Sequence, residues 1–73
     1  MAQIVDARGF SCPQPVLMTM QEIKKTGKGQ IEVLVDTDTS KENVTRAVTI
    51  QGWQVHNVAG EGGGYRIVIK KEA

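Results

Sequence analysis

Gln30 to Val35 alternates with a period of two, placing Ile31, Val33 and Val35 on one side of an extended chain and Leu34 on the other. A strand buried on one face carries that pattern. Its position between two stretches of helical periodicity constrains the fold more than any other feature of the chain. Before it, Val16, Met20 and Ile23 share a helical face with Leu17 beside them, in a helix from about Pro13 or Pro15 to Lys25. Met18 falls off that face. Lys24 and Lys25 suit the negative end of this helix, and Gly27 terminates it. After the strand, Thr39-Ser40-Lys41-Glu42 reads as a capping box that opens a second helix. Val44, Ala47 and Val48 face inward there, and Gly52 closes it. Ile4-Val5-Asp6 reads as a first strand. Trp53 to Ala59 and Tyr65 to Lys70 read as two more, joined by a hairpin loop over Gly60–Gly64.

The order β-α-β-α-β-β predicts an α/β (α+β) two-layer sandwich. Each strand-helix-strand crossover makes its strands parallel and is right-handed in nearly all proteins. Two crossovers progressing the same way put both helices on one face of the sheet. Glu32, His56, Arg66 and Lys70 then lie on the open face. The loops after the first two strands emerge at one edge of the sheet, where function gathers in open α/β sheets. Cys12 lies in the first of these loops, and Asp36-Thr37-Asp38 in the second.

With 73 residues the chain is expected to be a single domain spanning positions 1–73. Folding at this size buries only about 60% of the unfolded surface, which supports one simple core and no deep substrate cavity as well. Chemistry is therefore expected near the surface, with a larger partner supplying the rest of an active site. The net charge of +1 comes from interspersed acids and bases, and no basic run has the length of a nucleic-acid or membrane tail. Direct nucleic-acid contact and membrane association are not expected. The start, Met1-Ala2-Gln3-Ile4, lacks the regions of a signal peptide, and one cysteine cannot form an internal disulfide. A cytoplasmic location fits best.

Cys12-Pro13-Gln14-Pro15 is the most informative tetrapeptide. Proline suits the first helical position, where its missing N–H would be unpaired anyway. Residues before proline resist helical angles, so either Gln14 caps the helix, with Pro15 first in it, or Cys12 is the cap. In both cases the sulfur sits within a turn of the helix start. A free thiol is only about 3% thiolate at pH 7. A helix N-terminus raises that fraction to somewhere between about 5% and 50%. The two prolines remove N–H groups that concentrate positive charge there, so a moderately activated thiol is expected, helped by Arg8 if it points toward the sulfur. On local physics alone, this reading and that of a small apolar residue beside a proline-capped helix stand level.

The segment Asp6-Ala7-Arg8-Gly9-Phe10-Ser11-Cys12-Pro13-Gln14-Pro15-Val16 resembles the signature of the TusA/SirA-like sulfur-carrier family: Asp, two residues, Gly, two residues, Cys-Pro, one residue, Pro. The resemblance extends over essentially the whole chain. Its second half, from Val35-Asp36 through Ser40-Lys41-Glu42-Asn43-Val44 to Gly52-Trp53-Gln54-Val55, is most similar to the YedF-like branch, without that branch's second domain. The resemblance implies a four-stranded mixed sheet of order 1-2-4-3, with the fourth strand antiparallel to the rest. It also implies a relay, in which a cysteine desulfurase or other persulfide donor passes sulfur to Cys12. The carrier hands it to a downstream relay protein or biosynthetic enzyme, for tRNA thiolation or related sulfur or selenium metabolism. Cys12 is then the one catalytic residue of a sulfurtransferase-type carrier, not of a stand-alone catalyst, with Pro13 and Pro15 as its support.

Around it, Asp6 is expected to orient the loop by accepting backbone N–H groups between Gly9 and Cys12, with Gly9 supplying a positive φ. Phe10 and Met18 are candidates for a partner-docking patch. Asp36 and Asp38 are candidates for contact with a partner's basic surface or for helix capping. His56 lies mid-strand and makes a poor pair with Cys12 for metal binding or catalysis. No metal or cofactor is expected, and a monomer is favoured. Two competing functions are a thiol-independent RNA- or protein-binding regulatory module, resting on Lys24, Lys25, Lys28, Lys70 and Lys71, and a thiol redox sensor.

Overall fold

A computed structural model describes residues 3–11 and 13–72, with only the backbone for Glu61. Cys12, the central residue of the sequence reading, lies outside the described residues. The elements are β1 (Gln3–Asp6), α1 (Gln14–Thr26), β2 (Gly29–Val35), α2 (Asp38–Ile50), β3 (Gln54–Glu61) and β4 (Gly64–Lys71). The sheet order is β1-β2-β4-β3. β1 and β2 pair in parallel, while β4 runs antiparallel to both β2 and β3. The mixed two-layer sandwich and its strand order are those expected.

Register explains the core. Val5, Val33 and Ile67 lie side by side across three strands, and Ile31 and Ile69 pair across two. All five are buried, together with Val35, Ile23 of α1 and Val44 and Val48 of α2. The alternation of β2 is realised as read, with Leu34 on the opposite face beside Arg66. On that open face the Glu32 carboxylate accepts a bond from the Arg66 guanidinium.

The first helix departs from expectation. Its most buried stripe is Pro15, Thr19 and Ile23, while Val16 and Met20 are only partly buried and Leu17 is 49% exposed. Met18, expected off the apolar face, packs against the core. The physical reason is Thr19. Its hydroxyl donates to the Pro15 carbonyl at 2.8 Å, so a nominally polar residue enters the core with its hydrogen bond made. The helix cap is Pro13, at φ −96° and ψ 14°, with no side-chain cap bond; neither Cys12 nor Gln14 takes that place.

The second helix starts two residues earlier than its apparent capping box. Thr37, in extended conformation, is the N-cap, and its hydroxyl accepts the Ser40 N–H at 3.1 Å. Thr39 lies inside the helix. The helix ends in a Schellman arrangement: Gly52, at φ 87°, donates to Thr49 at 3.0 Å, and Trp53 donates to Val48 at 2.9 Å. Trp53 is thus part of the helix stop, buried ahead of β3, not the first residue of the strand.

The glycine-rich hairpin is also tighter than read. Gly60 and Glu61 still pair with Tyr65 and Gly64, leaving Gly62 and Gly63 as a two-residue turn with φ of 57° and 85°. Positive φ at both central positions is what a type I′ turn demands. Within β3 the register shifts between Val55 and Asn57, so His56 is the extra residue of a bulge on an edge strand.

Candidate functional site

The parallel pairing of β1 and β2 brings two loops to one edge of the sheet. The first, 7–13, carries the cysteine position; the second is Asp36-Thr37. The Ala7 N–H donates to the Leu34 carbonyl at 2.8 Å, which extends the parallel ladder one step past β1. Beyond it the chain turns at Gly9, whose φ of 85° is open to glycine at little cost. The Phe10 N–H returns to Ala7 at 3.3 Å, and the Gln14 N–H returns to Ser11 at 2.9 Å, leading the loop into α1.

Asp6 and Asp36 divide the work differently from the sequence reading. Asp6 does not orient the Gly9 end of the loop. Its carboxylate takes the Arg8 guanidinium in a two-point fork, Nε and Nη2 each at 2.9 Å, and the Arg8 N–H at 3.2 Å. The side-chain bonds to Arg8, followed by its backbone bond, lower the Asp6 pKa from 3.8 to about 2. The Gly9 N–H is instead taken by Asp36 Oδ2 at 2.8 Å, across 27 residues of sequence. Neither Asp36 nor Asp38 is the N-cap of α2, a place held by Thr37.

Asp38 accepts a hydrogen bond from the Tyr65 hydroxyl. That bond first, then the carboxylate's charge and slight desolvation, raise the phenol's pKa above its ordinary 10.0. Lys41 completes the group, with its ammonium 4.6 Å from the Tyr65 ring centre. The sequence reading missed this cluster. Tyr65 reaches this edge because β4 pairs it with Val35, the last residue of β2. Only the strand order makes that visible.

Between the loops lies a shallow cleft of about 360 Å³, lined by Gly9, Phe10 and Ser11 on one side and Asp36, Thr37, Thr39 and Ser40 on the other. Phe10 is 48% exposed at its rim. Met18 is not part of it; it borders a separate depression with Ile4, Gln21 and Lys25. Pro15 is buried at the start of α1, while Pro13 is exposed. His56 is at the other end of the sheet, in a depression with Gln54, Lys70 and Lys71. Among the described residues, no group of three His, Cys, Asp or Glu gathers as metal ligands would. Among the described residues, too, no helix is long and apolar enough to cross a membrane.

Comparisons with known proteins agree with the motif. The family model "Sulfurtransferase TusA" matches residues 3–71. A protein of Archaeoglobus fulgidus named as a candidate sulfur carrier is 33% identical over 69 residues, covering 93% of this chain and 94% of the relative. The sulfur carrier protein TusA of Pseudomonas aeruginosa is 28% identical over 71 residues, covering 96% and 90%. The crystal structure of a SirA-like protein from Desulfitobacterium hafniense superposes with a TM-score of 0.85 at 29% identity, covering 96% of each chain. The chain belongs to the TusA sulfurtransferase family.

Proposed function

We propose that this protein is a sulfur carrier that holds a transferable sulfur on Cys12 as a persulfide. The observation that supports this most is the match over residues 3–71 to a family named for sulfur transfer, with the chain's single thiol inside the shared motif. Loading is a thiol exchange. The Cys12 thiolate attacks the outer sulfur of a donor persulfide, and the donor's S–S bond breaks. The donor leaves as a thiolate, and Cys12 now carries the outer sulfur. Unloading repeats the step, with an acceptor thiolate attacking that sulfur and Cys12 leaving. No net oxidation occurs, so no cofactor or metal enters the scheme. A second cysteine would capture the persulfide and expel sulfide, and the chain has none.

In this reading residues 1–73 act as one monomeric domain in the cytoplasm. The donor is a cysteine desulfurase or another persulfide-bearing protein. The acceptor is a relay protein or a biosynthetic enzyme, with thiolated tRNA or a related sulfur or selenium product at the end. Carrier, rather than stand-alone catalyst, describes the role, because each half-reaction needs a partner's reactive group.

The test is mass spectrometry under non-reducing conditions after incubation with a cysteine desulfurase and cysteine. The expected result is a gain of one sulfur, about 32 Da, reversed by dithiothreitol and absent in Cys12→Ala. An unchanged mass in the unmodified protein overturns the reading, as does an equal gain in the alanine variant. Oxidation or glutathionylation at Cys12 without any sulfur gain would instead favour a redox sensor.

A further inference from the structure

We infer that Asp36 is a positioning residue for the thiol-bearing loop: by holding the Gly9 N–H, its carboxylate sets the loop shape that a protein partner must meet for sulfur to reach Cys12. This rests on the carrier reading above and names a part of that site outside the family signature.

The described part of the loop is held by local bonds, the Asp6–Arg8 fork and the Phe10 N–H to the Ala7 carbonyl among them. Ala7 is tied to Leu34 at its beginning, and the Gln14 N–H is tied to Ser11 at its end. Between them the chain reverses at Gly9, a residue without a side chain to anchor it and with φ at 85°. Glycine there allows the turn but also leaves the unfolded or misdirected loop more accessible than any other residue would. The bond from Gly9 to Asp36 Oδ2, 2.8 Å long, ties that reversal to the second loop, 27 residues away in sequence.

Asp36 is itself rigidly placed. Val35 before it is buried and paired with Tyr65, and Thr37 after it is the N-cap of α2. Beneath it, β4 passes so closely that a Cβ on Gly64 would stand 2.3 Å from the Val35 carbonyl oxygen and 3.0 Å from the Asp36 Cα. A carboxylate carried on a backbone held by a strand register, a helix cap and a close backbone contact transmits the geometry of the sheet to the loop. A flexible surface acid would not.

Its charge argues for geometry over activation. Gly9 and Cys12 are three positions apart, so their Cα atoms lie within about 11 Å of each other. A carboxylate at that range disfavours a thiolate, by about twofold in water at about 11 Å and by more at shorter range. An acid retained for reactivity would have the wrong sign. An acid retained as a strut has the right shape.

Two variants separate the terms. Asp36→Asn keeps an acceptor oxygen and removes the charge; Asp36→Ala removes both. Three readouts apply: sulfur loading by a cysteine desulfurase as kcat/KM, hydrogen exchange at the Gly9 amide, and iodoacetamide alkylation of Cys12 against pH. In Asp36→Ala we expect Gly9 exchange to rise and loading to fall by about tenfold or more, the range for loss of a charge-assisted bond. Alkylation by the small reagent should not fall with loading; it should hold or rise a few-fold at about pH 7, the direction set by losing a nearby negative charge. Asp36→Asn should restore both Gly9 protection and loading.

Ile69→Val controls for stability, since it trims a core side chain that pairs with Ile31, away from both loops. Equal loss of loading in Ile69→Val and Asp36→Ala overturns the inference. So does wild-type loading in Asp36→Ala, unchanged Gly9 exchange, or an asparagine variant as poor as the alanine one. Failure of the unmodified protein to load at all, with Cys12 still alkylated, strikes the carrier reading instead; Gly9 exchange still decides whether Asp36 holds the loop.

Discussion

Asp6 and Arg8 close a fork at the end of β1, and both side chains are about half exposed. A surface pair of this kind adds little to global stability. Its measurable effect is on titration. The folded Asp6 pKa of about 2 lies below the ordinary 3.8, so the pair favours the folded state above about pH 4. That contribution fades as pH falls toward 2 and the carboxylate takes up a proton. Carbon-detected NMR should therefore show an Asp6 midpoint near 2 in the wild type, returning toward 3.8 in Arg8→Ala. A wild-type midpoint at the ordinary value would mean that the fork is open in solution. Residue-scale reading of the sequence picked out these acids, but the Gly9 N–H it expected at Asp6 goes to Asp36, and the cap it offered to Asp36 or Asp38 is held by Thr37. Asp6 is satisfied two residues away, and the loop's tertiary acceptor is 27 residues distant. Local spacing carries the first relation and is blind to the second.

At the scale of elements, existence and order were legible because periodicity reports burial directly. Ile31, Val33 and Val35 could not all share one face of a helix, and Val44, Ala47 and Val48 could not all share one face of a strand. Termini were less legible because several hydroxyl residues competed for the same role. Thr37, Thr39 and Ser40 are all competent caps by type. The winner was decided by where β2 stops pairing with β4, at Val35 opposite Tyr65. The difference is testable by chemical denaturation. Thr37→Ala should cost about 1 kcal/mol, since it removes the cap bond to Ser40. Thr39→Ala, inside the helix, should stay within about 0.5 kcal/mol of wild type. The reverse order would restore the capping box over Thr39 and Glu42. The hairpin teaches the same lesson. Five residues of glycine-rich sequence suggested an open loop, yet Gly60, Glu61 and Gly64 pair, because two glycines suffice for a type I′ turn.

Across the whole molecule, the fold gathers five of the six lysines away from the loops. Lys70 and Lys71 end β4 beside Gln30 and Gly29, the beginning of β2, and Lys24 and Lys25 occupy the last turn of α1. These lysines, with Lys28, lie at the edge opposite the cysteine loop. Replacing Lys70 and Lys71 together with glutamine should leave sulfur loading within about twofold of wild type, because screening confines exposed charges to about 10 Å. A regulatory RNA-binding module predicts something else: salt-dependent RNA affinity that this double variant loses and Cys12→Ala retains.

The amino-acid order by itself determined the succession of strands and helices, the one-sided burial of β2 and the motif that marks the family. These follow from side-chain period and from residue types whose backbone preferences are local. Tertiary structure alone decided that Asp36 holds Gly9, that Tyr65 meets Asp38, and that scattered lysines share one edge. Each of those depends on strand order and register, which arise from packing the entire core at once.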